Sequence, residues 1–307
     1  ANRVGSERHA QMLRDGLRDS ADWMGALMRV SHGDAPAASK QGAALLPERH
    51  LGLVAAHELA DSAQRLDAAA DALAATPLGQ MTAQDLQRWA VDFPAPDNTT
   101  PVPALLAGRT VAVGRDAAFC FTYAANLQTL EQLGARVVFF SPLDDAALPE
   151  CDAVWLPGGY PELHTDRIAA NAGLTASLMA HVHPHKPLWA ECGGMMALFE
   201  SITHTDGTQH PVWGLLPGHV TVHKRLAALG PQQLVVDGHT LRGHTFHYST
   251  AQSDAPVVSR TSRPDEPVAA DAGEALYRLG SIHASYFHAW FPSNPLAVAR
   301  LLGGVAA

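Results

Sequence analysis

Lysine is scarce in this chain of 307 residues: only Lys40, Lys186 and Lys224 carry an ε-amino group. None follows a glycine loop or precedes Ser or Thr, so no G-x-x-x-x-G-K-[ST] phosphate cradle can be drawn from them. Basic residues are outnumbered, 21 Lys and Arg against 30 Asp and Glu, for a formal net charge of -9. Without a long basic run, nucleic acid is excluded as a partner on electrostatic grounds. Cysteine is rarer still in useful patterns. Cys120, Cys151 and Cys192 are odd in number and far apart, which excludes a disulfide framework and a cysteine zinc cluster. They fit reduced thiols of a cytoplasmic protein. No apolar run approaches a membrane span, and the opening residues are not a signal peptide. "ANRVGSERHA" has no initiator methionine and reads as a strand end entering a helix, as expected where a chain begins inside a domain.

What is present is apolar material, 47% of the residues, enough for a sizeable core and two domains. Over residues 1–91 the apolar spacing predicts mostly helix, in "ERHAQMLRDGLRDSADWMGALMRV" and "AAHELADSAQRLDAAADALAA". "LLPERHLGL" (45–53) lies between them. Residues 92–108, "DFPAPDNTTPVPALLAG", are rich in proline and small polar residues and read as an interdomain linker. From residue 109 the pattern changes. "TVAVGRDAAF" predicts a strand and turn, and "AANLQTLEQLG" a helix capped at Gly134. "ARVVFFSPL" predicts a buried strand, and "CDAVWLPGGY" a strand that ends in a glycine turn. "RIAANAGLTASLMAHV" predicts a helix and "PLWAE" a strand. This alternation implies an α/β fold with a parallel sheet covered on both faces. Beyond residue 212 the chain becomes β-rich and closes on a helix in "NPLAVARLLGGVA".

Three segments could carry chemistry. "PLWAECGGMMALFE" (187–200) fits strand, sharp turn, helix, with Cys192 at the strand tip and the helix N-terminus. Helix amides converge there, and their partial positive charge favours a thiolate. The same geometry underlies the nucleophile elbow of serine hydrolases. Free cysteine is also a common inert core residue, so nucleophile and filler both stay open. In "LPGGYPEL" (156–163), a strand ending at Gly158 and Gly159 can turn its amides toward an oxyanion, or be an ordinary tight turn. In "ASYFHAWF" (284–291), His288 could act as base for a thiol. His283 competes with it. In one continuous strand their odd separation would point them to opposite faces, so at most one reaches Cys192. "HVHPHKP" (181–187) alternates histidines, but no carboxylate or cysteine completes a metal set nearby.

Together, "PGGYPE", "AECGG" and "SYFH", in this order, resemble the flavodoxin-like class I glutamine amidotransferase domain. More narrowly they resemble the glutaminase domain of the cobyrinic acid a,c-diamide synthase family. "FFSPLDD", "GHTFHYS" and "GSIHASYFHAWF" agree, as does "LPERHLGLV", which separates that family from cobyric acid synthase. "NRVGSERH" resembles a late segment of the family's P-loop-type ATP-binding α/β domain. The resemblance implies an ATP-binding remnant over 1–91, a linker over 92–108 and a glutaminase domain over 109–307. It implies a cytoplasmic enzyme that amidates two carboxylates of a corrinoid acid, with L-glutamine as nitrogen donor and Mg2+ and ATP as activators. A homodimer is compatible with it. Cys192 becomes the nucleophile and His288 the general base. The amides of Gly159 and Gly193 become the oxyanion hole, Gly158 shapes the turn, and Glu191 helps order the elbow. Asn2 is a candidate for the adenine face or a strand-end cap. Glu48, Arg49 and His50 are candidates for the synthetase site or a helix-entry loop.

The chain departs from the family at two points. Ala289 and Trp290 follow His288 where class I enzymes often have His-x-Glu, so a carboxylate to orient the imidazole is absent there. Thr245 stands where the family is expected to carry Glu. The phosphate loop is also absent, which makes the chain look like the family without its N-terminal portion. A cysteine hydrolase on the same scaffold and a non-catalytic subunit are the alternative readings.

Overall fold

In the N-terminal residues the helical spacing is realised only in part. The computed structural model describes residues 1–17, 22–29, 48–49, 52–54, 58–94, 102–269 and 272–303. These fall into two compact units, Ala1–Thr99 and Thr100–Ala307. In the first, helix α1 (Glu7–Leu17) has Glu7 in its first turn and Arg14 in its last, the charge order that complements the helix dipole. The helix expected onward to residue 30 is not formed over 22–29. There the amides of Leu27 and Arg29 donate to Ala1 and Val4, and Val4 pairs with Met28 as an isolated parallel bridge. Those backbone groups are satisfied by the chain start instead of by a helical turn. Strands β1 (Glu48–Arg49) and β2 (Gly52–Leu53) form a short antiparallel pair. Helix α2 (Ser62–Ala74) follows, and then α3 (Ala83–Leu86), whose Thr82 and Asp85 make a reciprocal capping box.

The second unit opens with β3 (Thr110–Gly114), α4 (Ala124–Gln132), β4 (Arg136–Phe140) and β5 (Ala153–Leu156). It continues through α5 (Thr165–Ala170), α6 (Ala172–Val182), β6 (Leu188–Glu191) and α7 (Gly193–Leu198). The β-rich part comprises β7 (Ser201–Thr203), β8 (Gln209–Pro211), β9 (His219–Val222), β10 (Ala228–Val236) and β11 (His239–His247). After these come β12 (Ser249–Gln252), β13 (Val257–Arg260), β14 (Ala275–Leu279), β15 (Ile282–Ser285), β16 (His288–Ala289) and helix α8 (Pro295–Leu301).

A seven-stranded sheet in the order β13-β14-β15-β6-β5-β3-β4 forms the frame. The five strands from β15 to β4 run parallel, and β13 and β14 add an antiparallel edge. Its central strands are buried on both faces, as a parallel sheet covered by helices requires. Ala112, Val154, Leu156 and Leu188 face one core, and Val113, Trp155, Trp189 and Phe287 the other. β4 differs from expectation. It closes the sheet at an edge, its residues are largely exposed or half-buried, and Phe139 faces outward. Two smaller sheets lie alongside, β12-β9-β7-β8 and β10-β11-β16.

α4 is tied to the segment after β15 by one buried amide. Asn126 Nδ2 donates to Ala289 O at 2.8 Å, and Asn126 Oδ1 accepts from Phe291 N at 2.9 Å. An Asn126→Ala substitution strands a buried carbonyl and a buried N–H. We expect a loss of roughly 2–4 kcal/mol of stability, read from urea unfolding followed by circular dichroism.

Candidate active site

In open parallel sheets, functional groups gather outside the carboxyl ends of the strands. Here β5 ends into Pro157-Gly158-Gly159, its neighbour β6 ends into Cys192, and the next strand, β15, runs on toward His288. Three segments far apart in sequence are thus delivered to one edge.

Cys192 sits between β6 and α7 with φ 45° and ψ -108°, a backbone conformation that costs a non-glycine residue about 1–3 kcal/mol. The turn is held by Cys192 N–H donating to Ser285 O at 2.8 Å and by Met196 N–H donating to Cys192 O at 2.9 Å. Two glycines let the neighbouring turn approach. A Cβ on Gly193 would lie 2.8 Å from the Gly159 amide nitrogen, and a Cβ on Gly158 would lie 2.4 Å from His288 Cε1. Only residues without side chains allow both approaches. Cys192, Gly193, Gly159, Gly158 and His288 therefore form one continuous set of contacts.

Cys192 and His288 are nearly sealed, 2% and 3% exposed. Burial pushes the Cys192 thiol far above its usual range, and the charges of Glu162, Glu274 and Glu191 push the same way. The bond to Gly193 opposes this but does not offset it. The helix N-terminus favours a thiolate, as expected, but a six-residue helix does not outweigh desolvation with Glu162 and Glu274 adding to it. Burial, together with His244 and His247, brings His288 down to about 3. The resting pair is a neutral thiol and a neutral imidazole.

His288 lies in β16, paired with β11 so that His244 stands opposite it. The two imidazoles stack with centroids 4.8 Å apart and planes 16° from parallel. Tyr123 contacts both His244 and Trp290, and Phe121 lies 6.2 Å from the His288 ring. Among the described residues His288 Nδ1 is buried with no hydrogen-bond partner. His283 belongs to β15, a different strand from His288, so alternation within one strand does not relate them. It pairs with Trp189 in register, and burial lowers it to about 4.

Two carboxylates stand close by. Glu191, 1% exposed, accepts from Trp189 Nε1 at 2.7 Å and from Ala289 N–H at 3.3 Å. Burial pushes its pKa up to about 8 despite those bonds. Glu274 was not legible in the sequence. Its Oε1 accepts from Thr245 Oγ1 at 2.8 Å and lies 3.0 Å from His247 Nε2. Burial alone would raise Glu274, but the bonds from His247 and Thr245 hold it below the ordinary carboxylate value. A carboxylate from residue 274 thus lies against Thr245. His247 also stacks on Tyr286, centroids 3.7 Å apart, and Tyr286 accepts from Ser249 Oγ at 2.8 Å.

The match to known proteins follows this geometry. Residues 110–296 match the CobB/CobQ-like glutamine amidotransferase domain. The chain belongs to that family. It is 45% identical over 302 residues to the hydrogenobyrinate a,c-diamide synthase of Stutzerimonas stutzeri, covering 98% of this chain and 65% of that protein. It is 44% identical over 301 residues to the enzyme of that name from Pseudomonas aeruginosa, covering 98% and 64%. It is 39% identical over 305 residues to the cobyrinate a,c-diamide synthase of Herminiimonas arsenicoxydans, again covering 98% and 64%. The chain thus spans just under two thirds of the length of the curated relatives it matches.

The remaining sequence candidates lie elsewhere in this amidotransferase family member. Asn2 is exposed in the Ala1–Thr99 unit. Glu48 and Arg49 form β1 of the short antiparallel pair, and His50 lies outside the described residues. In "HVHPHKP", His181 is buried and directs its two nitrogens at Cys151 Sγ, 3.7 Å away, and Pro187 O, 3.1 Å away, while His183 and His185 are exposed. Among the described residues no helix is long and apolar enough to cross a membrane.

The two buried groups at the strand ends have opposite effects on pH stability. His288 binds a proton less readily folded than unfolded, so stability is lost as pH falls from 6.5 toward about 3. Glu191 holds its proton more tightly folded, so stability is lost as pH rises from 4.5 through about 8. Glu191→Gln cannot titrate. The stability difference between wild type and Glu191→Gln should fall steadily across that second window and be flat on either side, as read from urea midpoints at stepped pH.

Proposed function

We propose that the Thr100–Ala307 unit hydrolyses L-glutamine at Cys192 and His288. The ammonia serves ATP-dependent amidation of the a- and c-carboxylates of cobyrinate or hydrogenobyrinate by the protein as a whole, in the cytoplasm. The observation that carries this is the unbroken contact from Cys192 through Gly193, Gly159 and Gly158 to His288 at adjacent strand ends. Family membership and the relatives' names support the substrate assignment.

In this reading Cys192 Sγ attacks the carboxamide carbon of glutamine as His288 takes the thiol proton. The C=O pair moves onto oxygen, and the amides of Gly159 and Gly193 receive it. When the oxyanion collapses, the C–N bond breaks, and His288 returns its proton to the leaving nitrogen. Ammonia departs and a glutamyl thioester remains. Water, deprotonated by His288, then attacks the thioester. Glutamate leaves and the thiol is restored. A neutral resting pair suits this order, because the ion pair forms only once a carbonyl is in place to take up charge.

The nucleotide step is not assigned to residues of this chain. It has no phosphate-loop sequence, and among the described residues no three His, Cys, Asp or Glu side chains group to hold a metal ion. Asn2, Glu48, Arg49 and His50 remain candidates for the synthetase side, and Mg2+ and ATP are expected to act through other residues.

Glutamate release from glutamine by this chain tests the reading. Cys192→Ala and His288→Ala should each lower kcat at least about a hundredfold with secondary structure intact, measured by coupled glutamate assay. Cys192-dependent turnover of peptides without turnover of glutamine would replace the proposal with a cysteine hydrolase.

A further inference from the structure

His288 lacks the hydrogen bond that usually orients a catalytic imidazole. Its Nδ1 is buried without a partner among the described residues, and Trp290, two residues on, is 43% exposed. The ring must therefore be placed by packing and by the backbone that carries it. His244 covers one face, and the missing Cβ of Gly158 leaves room at its edge.

Beside its pairing with β11 and the Asn126 bond to Ala289 O, this backbone is tied to the end of β6 by two hydrogen bonds. Before His288, Ser285 O accepts the Cys192 amide at 2.8 Å. After it, the Ala289 amide donates to Glu191 Oε1 at 3.3 Å. Residues 285–289 are thus clamped at both ends onto the end of β6, with His288 between the clamps. The first clamp is backbone to backbone. The second depends on one side chain, and that side chain is itself pinned. Trp189, two residues earlier on the same face of β6, donates Nε1 to the same oxygen at 2.7 Å.

We infer that Glu191 is a positioning residue: its Oε1 sets the distance between the strand that carries Cys192 and the backbone that carries His288. This rests on the Cys192–His288 reading above. Burying an acid is unfavourable, and an apolar side chain would fill the same space at lower cost. The oxygen has a purpose only if the Ala289 and Trp189 N–H groups need an acceptor there. Since burial pushes Glu191 up to about 8, the acceptor at neutral pH is an uncharged carboxyl, and glutamine should replace it. Tyr123 and Cys192 are the titratable groups whose charge couples to Glu191, so an uncharged replacement also leaves their surroundings unchanged at neutral pH.

The test measures alkylation of Cys192 by iodoacetamide in the full chain as a function of pH. Peptide mass mapping separates Cys192 from Cys120 and Cys151, neither of which is in a disulfide. Wild type, His288→Ala, Glu191→Gln and Glu191→Leu are compared, with glutamine turnover measured alongside. Glu191→Leu should slow Cys192 alkylation at neutral pH at least about tenfold and reproduce the pH profile of His288→Ala. Glu191→Gln should stay within about threefold of wild type, and any loss in turnover should fall on kcat and not on KM. If Glu191→Leu does not unfold cooperatively in urea, Glu191→Met takes its place.

A wild-type profile in Glu191→Leu, with His288→Ala clearly different, overturns the role of Glu191 alone. Equal loss in Glu191→Gln and Glu191→Leu overturns it too, because an uncharged acceptor would then not suffice. Identical profiles in wild type and His288→Ala overturn the Cys192–His288 reading itself, and the inference with it.

Discussion

The hydrogen bond from the Cys192 amide to Ser285 O is the constraint around which the site is built. It extends the parallel pairing of β6 and β15 by one residue past the point where β6 ends. The chain then turns at Cys192 with a positive φ, which brings Gly193 against the β5 turn. The glycines of that turn and of α7 follow as a consequence, since side chains there would collide with backbone or with His288. The strain at Cys192 is local and small beside the burial of the sheet. Trp155, Trp189, Phe287 and Phe291 are completely buried against the face opposite the one that packs Leu156 and Leu188. Burial of four aromatic side chains, each contributing on the order of 2–3 kcal/mol, offsets one unfavourable dihedral several times over.

The same burial decides the electrostatics. A thiol and an imidazole taken out of water are each driven to their uncharged form, and the carboxylates of Glu162 and Glu274 reinforce this at Cys192. A partial positive charge at a short helix end cannot reverse that balance. The site thus stores little charge in the resting state. In the proposed reaction it becomes polar when proton transfer between two buried groups is coupled to bond formation at a carbonyl, and the amides of Gly159 and Gly193 are the proposed receivers of that charge.

Sequence patterns revealed the parts of this arrangement that depend on neighbours in the chain. The helix read from "AANLQTLEQLG" is α4, and Gly134 beyond it has φ 86°, the left-handed cap that glycine signals. Strand, turn and helix around Cys192 were legible for the same reason, as was the strand ending at Pro157-Gly158-Gly159. What pattern could not reveal depends on distance along the chain. Residues 22–29 have helical spacing but pair with Ala1 and Val4. The exposure of β4 follows from its place at the sheet edge, which strand order decides and composition does not. Asn126 reads as an ordinary helix polar residue, yet it serves Ala289, 163 positions away. Glu274 lies in "DAGEALYR", which carries no motif at all.

The two departures from the family pattern share a physical explanation. At 245 a carboxylate is absent from the strand, but Thr245 donates to one that arrives from residue 274, and His247 points at the same oxygen. Residue 290 is tryptophan, and a carboxyl at 191 takes the backbone amide of Ala289. In both places an acidic oxygen lies near the pair, carried by a residue from another part of the chain. A site is specified by where its atoms lie, and a fold that brings strand ends together offers more than one residue from which to place them. Reading loss of function from the identity of residue 245 or 290 alone therefore compares the wrong quantity. What matters is the oxygen inventory around Cys192 and His288, and here that inventory includes Glu162, Glu191 and Glu274.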